Sequence, residues 1–235
     1  MKKILISGGE GDFAKEILKY NKKFKIFIPS KKEMNIENLN SIIKFIKKTK
    51  IHYFIHSAAL TRPMSQHNHK IEQSIKTNIV GTSNVVIACQ KFKVKLVYIS
   101  TNLVYPGVRG NYKESQPVFP VNAYAWSKLG GESAVHLYKN SLILRTCMTD
   151  NIYPHKFAFT DYITSFIKKS DAAKLVLKLL DKYGVINLGG KAQSSYDFAR
   201  TNNNKIKKKT LTKRDIVLIG KNSSINTNKI KNIKF

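Results

Sequence analysis

Residues 2–14 read Lys2-Lys3-Ile4-Leu5-Ile6-Ser7-Gly8-Gly9-Glu10-Gly11-Asp12-Phe13-Ala14. The apolar run at 2–7 has the length of a buried strand. It enters a glycine cluster, and the helical spacing of Phe13, Ile17 and Leu18 follows. Gly8, Gly11 and Ala14 fit G-x-x-G-x-x-A, and Gly9, Gly11 and Ala14 fit G-x-G-x-x-A. In either register small residues let the turn tighten, so that the N–H groups of Asp12 and Phe13 at the helix N-terminus approach a pyrophosphate.

Outward from this unit the alternation continues. Apolar runs at 24–29, 52–59, 95–101, 141–146 and 184–189 predict strands, and the spacing over 36–49, 71–92, 122–139 and about 162–182 predicts helices. Strands that are continuously apolar and separated by helices imply a parallel sheet covered on both faces, a doubly wound α/β (Rossmann) fold. The division expected is a dinucleotide-binding and catalytic part at 1–146, the remaining sheet and helix elements with a reduced substrate region at 147–200, and a basic, partly irregular tail at 201–235. That tail carries ten basic residues against the single acid Asp215, with a short strand expected at 215–219.

The 235 residues include 42 Lys and Arg against 14 Asp and Glu, a net charge of +28. Only five of the 42 are Arg, the side chain suited to bidentate phosphate and base recognition, and Lys, Asn and Ile are all abundant. The charge therefore reads as compositional bias, and nucleic acid is not the expected partner. No apolar run is long enough to cross a membrane and no signal peptide precedes the first strand, so a cytoplasmic protein is expected. Cys89 and Cys147 read as buried, reduced thiols, and His67 and His69 as solvated loop residues; no metal site is expected.

Where an NAD site places a ribose-binding acid, the second strand ends in Pro29-Ser30-Lys31-Lys32. A hydroxyl and ammonium groups suit a 2′-phosphate, so NADPH is expected over NADH. Tyr124 and Lys128 stand at i and i+4 of one helix, and Thr101 ends the fourth strand. An ammonium one turn from a phenol lowers its pKa and lets Tyr124 exchange a proton with a substrate oxygen that Thr101 holds.

The glycine turn, His56-Ser57-Ala58-Ala59, Thr77-Asn78-Ile79-Val80-Gly81-Thr82, Ile99-Ser100-Thr101 and Tyr124-Ala125-Trp126-Ser127-Lys128 together resemble the extended short-chain dehydrogenase/reductase family. Within it, residues 98–107, Glu114-Ser115-Gln116-Pro117 and Lys128-Leu129-Gly130-Gly131-Glu132 resemble the dTDP-4-dehydrorhamnose reductase-like branch. The resemblance implies that NAD(P)H delivers hydride to a keto carbon of a nucleotide-linked deoxysugar and that Tyr124 protonates the oxyanion. Lys128 bonds the nicotinamide ribose and tunes Tyr124, Thr101 orients the carbonyl, and Asn78 organises the site. Ser57, Ala58 and Ala59 line the cofactor through their backbone, and His56 is either part of that lining or a satisfied core histidine.

Arg62, past the third strand, is either placed to meet a substrate phosphate or a plain surface arginine. Asn102 and Leu103 stand where dehydrating relatives carry an Asp-Glu pair, which argues against dehydration and puts Asn102 on the substrate side. Trp126 is expected to pack. The resemblance also implies a homodimer through the helices at 71–92 and 122–139, with Val85, Val86, Ala88, Ala134, Val135 and Leu137 as the contact stripe. Two alternatives stay open: an epimerase of the same family, and a non-catalytic NAD(P)-binding regulatory subunit.

Overall fold

The structure, a computed structural model, describes residues 1–201 and 203–231. Six apolar segments form one sheet: β1 (Lys3–Ser7), β2 (Lys25–Phe27), β3 (Tyr53–His56), β4 (Lys95–Thr101), β5 (Ser141–Thr146) and β6 (Gly184–Leu188). Their order is β6-β5-β4-β3-β1-β2 and every pairing is parallel. The registers Ser7 opposite His56 and Thr101 opposite Thr146 bring the carboxyl ends of the central strands to one edge, where ligands of such sheets bind.

Successive residues of β1 supply both cores. Ile4 and Ile6 pack with Ile17 of helix α1 (Asp12–Tyr20). Leu5 packs with Ile42 of α2 (Leu39–Thr49), Val85 of α3 (Gly81–Phe92) and Val135 of α4 (Ala123–His136). Helix α5 (Lys169–Leu179) covers the first face beside α1, through Ala172, Leu175 and Val176. Each fully buried Ile or Leu contributes about 1.5–3 kcal/mol of burial, so strands apolar on both faces are held from both sides.

The helical stretch expected at 71–92 is interrupted. Ile71–Ser74 is α-helical, Ile75–Val80 is one π-helical segment, and α3 follows. A wider turn of this kind is common at functional sites, and here it carries Asn78. The segment crosses α4 so closely that a Cβ on Gly131 would stand 2.5 Å from the Asn78 carbonyl oxygen.

Two expectations late in the chain are corrected. The helix expected from about 162 begins at Lys169. Before it, Ile163–Thr164 pairs with Gln193–Ser194 and Ile167–Lys168 with Met148–Thr149, because Thr164 is buried and bonded to Cys147 (3.1 Å) and so cannot lie on a solvated helix face. The strand expected at 215–219 is a helix, Lys213–Ile219, started by a capping box in which Thr212 and Asp215 bond each other's backbone N–H.

The tail is also better built than its composition suggests. Lys207–Lys209 pairs with Phe157–Phe159, and Ser223, Ser224 and Ile225 are buried. The parts of the irregular tail expected at Asn202 and at 232–235 lie outside the described residues. Among the described residues no helix is long and apolar enough to cross a membrane.

Candidate active site

The glycine turn closes through a bond from the Gly11 N–H to the Gly8 carbonyl (2.9 Å). Gly8 has φ +75°, and a Cβ there would lie 3.0 Å from the Ala58 backbone, so this position requires glycine. Ser57 and Ala58 form the facing wall: the Ser57 hydroxyl donates to the Ser7 carbonyl (2.7 Å) and the Ala58 N–H to the Ser7 hydroxyl (3.3 Å). Ala59 continues that wall, half-buried. No side chain caps α1: Gly11 stands at its N-cap, the Phe13 side chain is buried in the core, and the first N–H groups of the helix are left for a ligand. A pyrophosphate is the group that such a cradle fits.

The end of β2 differs from expectation. The sequence reading placed no carboxylate there, but the chain reverses at 30–34 and brings back two. Ser30 donates to Glu33 through its N–H (2.8 Å) and its hydroxyl (2.9 Å), and Lys31 pairs with Glu37 at 3.3 Å. These bonds hold both carboxyls below their ordinary range. For Glu33 the backbone bond from Ser30 leads; for Glu37 it is the Thr77 hydroxyl.

Thr101, at the end of β4, lies close enough to Tyr124 to act on its phenol. Burial pushes the Tyr124 pKa up to about 12, against the lowering influence of Thr101 and of the Arg62 charge. Lys128 departs from expectation. Its ammonium lies over the Tyr98 ring, 4.2 Å from the centroid, rather than being what lowers Tyr124, and burial brings its own pKa down to about 7 while Glu132 holds it up. In this arrangement Tyr124 is a protonated acid and Lys128 titrates in the neutral range.

Asn78 is buried and ties the site together. Its carbonyl oxygen accepts from the Leu60 N–H (2.8 Å), and its amide donates to the Leu60 carbonyl (3.0 Å) and the Ser127 hydroxyl (2.8 Å). His56 is resolved as a core histidine. Its ring nitrogens meet the Ser7 hydroxyl (2.7 Å) and the Thr82 hydroxyl (3.0 Å), and burial lowers its pKa to about 3.

Asn102 is buried and its amide is spent on Ser223, through the carbonyl (3.0 Å) and the hydroxyl (3.2 Å). Arg62 is exposed and pairs with Asp150 at 3.7 Å. His67 is not solvated: it is buried with its ring on that of Tyr124, centroids 5.2 Å apart, and with Nδ1 on the Ser74 hydroxyl, whereas His69 is exposed. Trp126, expected to pack, is 51% exposed and meets the ring of Phe119 edge-on. Both cysteines are free and buried as expected, and burial pushes Cys147 up to about 12.

Sequence reasoning missed the buried hub beneath the site. Glu132 is fully buried. It accepts from Ser100 of β4 (2.7 Å) and from Arg145 of β5 through Nε (3.0 Å) and Nη2, and His136 stands 3.5 Å away. Burial alone would raise its carboxyl; the bonds from His136, Arg145 and Ser100 hold it down at about 2. The signal was present, since Tyr124, Lys128 and Glu132 follow at four-residue steps and a charge on the inward face of a helix needs a partner.

Residues 1–184 match the family described as RmlD substrate binding domain. The chain belongs to that family. It is 25% identical over 228 residues to a dTDP-4-dehydrorhamnose reductase of Aggregatibacter actinomycetemcomitans, covering 85% of this chain and 77% of the relative. Over 143 residues it is 26% identical to methionine adenosyltransferase 2 subunit beta of Bos taurus, covering 57% of this chain and 42% of the relative. In fold it is similar to the crystal structure of a dTDP-4-dehydrorhamnose reductase of Bacillus anthracis in complex with NADP, with a TM-score of 0.89 and 24% identity, covering 98% of this chain and 92% of that one.

Proposed function

We propose that this family member is an NADPH-dependent reductase of a 4-keto-6-deoxy nucleotide sugar, acting in deoxysugar biosynthesis. The observation that carries the reading is the placement of Tyr124 beside Thr101, at the same sheet edge as an uncapped glycine turn. A bound nicotinamide supplies the hydride. Thr101 holds the substrate carbonyl oxygen, Tyr124 gives its proton to that oxygen as charge develops, and the Lys128 ammonium, one helical turn on, turns from the Tyr98 ring to stabilise the phenolate left behind. A phenol that rests protonated suits reduction, where it must give a proton first.

Gly8, Gly11 and the N–H groups of Asp12 and Phe13 cradle the pyrophosphate, Ser57, Ala58 and Ala59 line the dinucleotide, and Asn78 holds the Leu60 loop against α4. Ser30 and Lys31 receive the 2′-phosphate, displacing Glu33 and Glu37. Arg62 faces the sugar-nucleotide phosphates, while Asn102 braces the tail behind the site.

The division into a cofactor-binding part at 1–146, a substrate region at 147–200 and a tail belongs to the same proposal, as does a homodimer. The contact stripe differs from the one expected, because Val85, Val86, Ala88 and Val135 are buried in the chain's own core. Leu137 (86% exposed), which belongs to the expected stripe, offers an apolar face with Val80 (43%) and Ile87 (48%).

The test follows NADPH oxidation with dTDP-linked and GDP-linked 4-keto-6-deoxy sugars. Tyr124→Phe is expected to lower turnover by about 10²–10⁴ while leaving NADPH affinity unchanged. The likeness to methionine adenosyltransferase 2 subunit beta favours a second reading, a dinucleotide-binding subunit without turnover of its own. Wild-type protein that binds NADPH yet reduces none of these substrates would establish that reading over ours.

A further inference from the structure

Four charged side chains form a ladder along the edge of the site. Asp12 opens α1 at the glycine turn, Lys169 opens α5, Asp150 lies in the loop after β5, and Arg62 lies past β3. The Lys169 ammonium is 3.4 Å from an Asp12 oxygen and closer still to Asp150, and Asp150 is 3.7 Å from Arg62. The Lys169 side chain is only 21% exposed, against 70% for Asp12 and 66% for Lys15, which reaches Asp12 from the solvent side at 3.6 Å.

The glycine motif includes no cation. A pyrophosphate brought to the α1 N-terminus would carry its negative charge beside the Asp12 carboxylate, against which the helix offers only the partial charges of its N–H groups. Lys169 is the half-buried ammonium already in contact with the first residue of that helix. An ion pair with a carboxylate as exposed as Asp12 is weak and easily exchanged, and Asp150 fixes the ammonium from behind.

We infer that Lys169 is a cofactor-binding residue, whose ammonium leaves Asp12 for the pyrophosphate of the dinucleotide while Asp150 holds it in place. The inference rests on the dinucleotide reading above. It adds to the glycine turn a contact from the far end of the chain, 157 residues away in sequence.

Direct titration with NADPH, NADH and adenosine 2′-monophosphate, which has no pyrophosphate, tests it. Lys169→Gln is expected to weaken NADPH and NADH by the same factor, about tenfold, the scale of one charge-assisted hydrogen bond. Adenosine 2′-monophosphate is expected to bind as to wild type, which also reports an intact fold, and Lys15→Gln to leave all three affinities within about twofold. The inference is overturned if Lys169→Gln leaves both dinucleotides unaffected, weakens NADPH alone, or weakens adenosine 2′-monophosphate equally. It is overturned too if Lys15→Gln matches it, the mark of a diffuse charge effect. Failure of wild type to bind either dinucleotide would overturn the underlying reading itself.

Discussion

Lys128 is an ammonium whose proton is in play at neutral pH, because burial brings it down to about 7 against the support of Glu132. In the proposed reaction a phenolate forming on Tyr124 needs that charge nearby, so the protonated form is the competent one. The rate of reduction is accordingly expected to be highest below pH 7 and to decline as pH rises through it, with Tyr124, at about 12, contributing nothing to the decline. Lys128→Arg, whose guanidinium stays charged, is expected to flatten the profile above pH 7 whatever it costs in absolute rate. A pH series of kcat at saturating NADPH checks both; a wild-type profile rising from pH 6 to 9 would contradict the assignment. That Tyr124 and Lys128 share a helix and that Thr101 ends a strand were legible in the sequence, as a four-residue step and an apolar run. The direction of the ammonium was not, because nothing in the spacing shows that the Tyr98 ring takes it.

Helix α4 is positioned by one carboxylate. Glu132 joins it to β4 through Ser100 and to β5 through Arg145, the two strands that end in Thr101 and Thr146. Removing one partner of a buried ion pair leaves the other uncompensated, so Glu132→Gln is expected to cost about 3 kcal/mol of stability or more, measured by urea unfolding at pH 7. The sign with pH follows from the lowered carboxyl. Its contribution is present above the ordinary value of 4.5 and is lost as pH falls towards about 2, so the gap between wild type and Glu132→Gln should narrow over that range. All six sheet strands were legible as apolar runs, since a parallel strand buried on both faces has no alternation to confuse. The elements that were misread lie where polar side chains turn inward: Thr164 and Ser165 broke the helix expected from 162, and Ser223 and Ser224 made a buried segment look like tail. Glu33 and Glu37 were overlooked because a reversal of the chain, not distance along it, brings them back to Ser30 and Lys31.

At the scale of the whole molecule, the exposed apolar residues of the π segment, α3 and α4 bear on assembly. Light scattering at micromolar concentration is expected to give twice the chain mass of 26.7 kDa, and Ile87→Asp combined with Leu137→Asp to give the monomer mass with an unchanged circular dichroism spectrum. A wild-type monomer would remove the dimer from the proposal without touching the chemistry. The contact between Asn102 and Ser223 has a consequence in time. Asn102 follows directly on Thr101, yet the groups that satisfy its amide lie 121 residues further along the chain. A ribosome thus supplies the floor of the site only after every strand of the sheet. A nascent chain in which β1 through β6 have all emerged still lacks the groups that satisfy Asn102 until the segment around Ser223 follows.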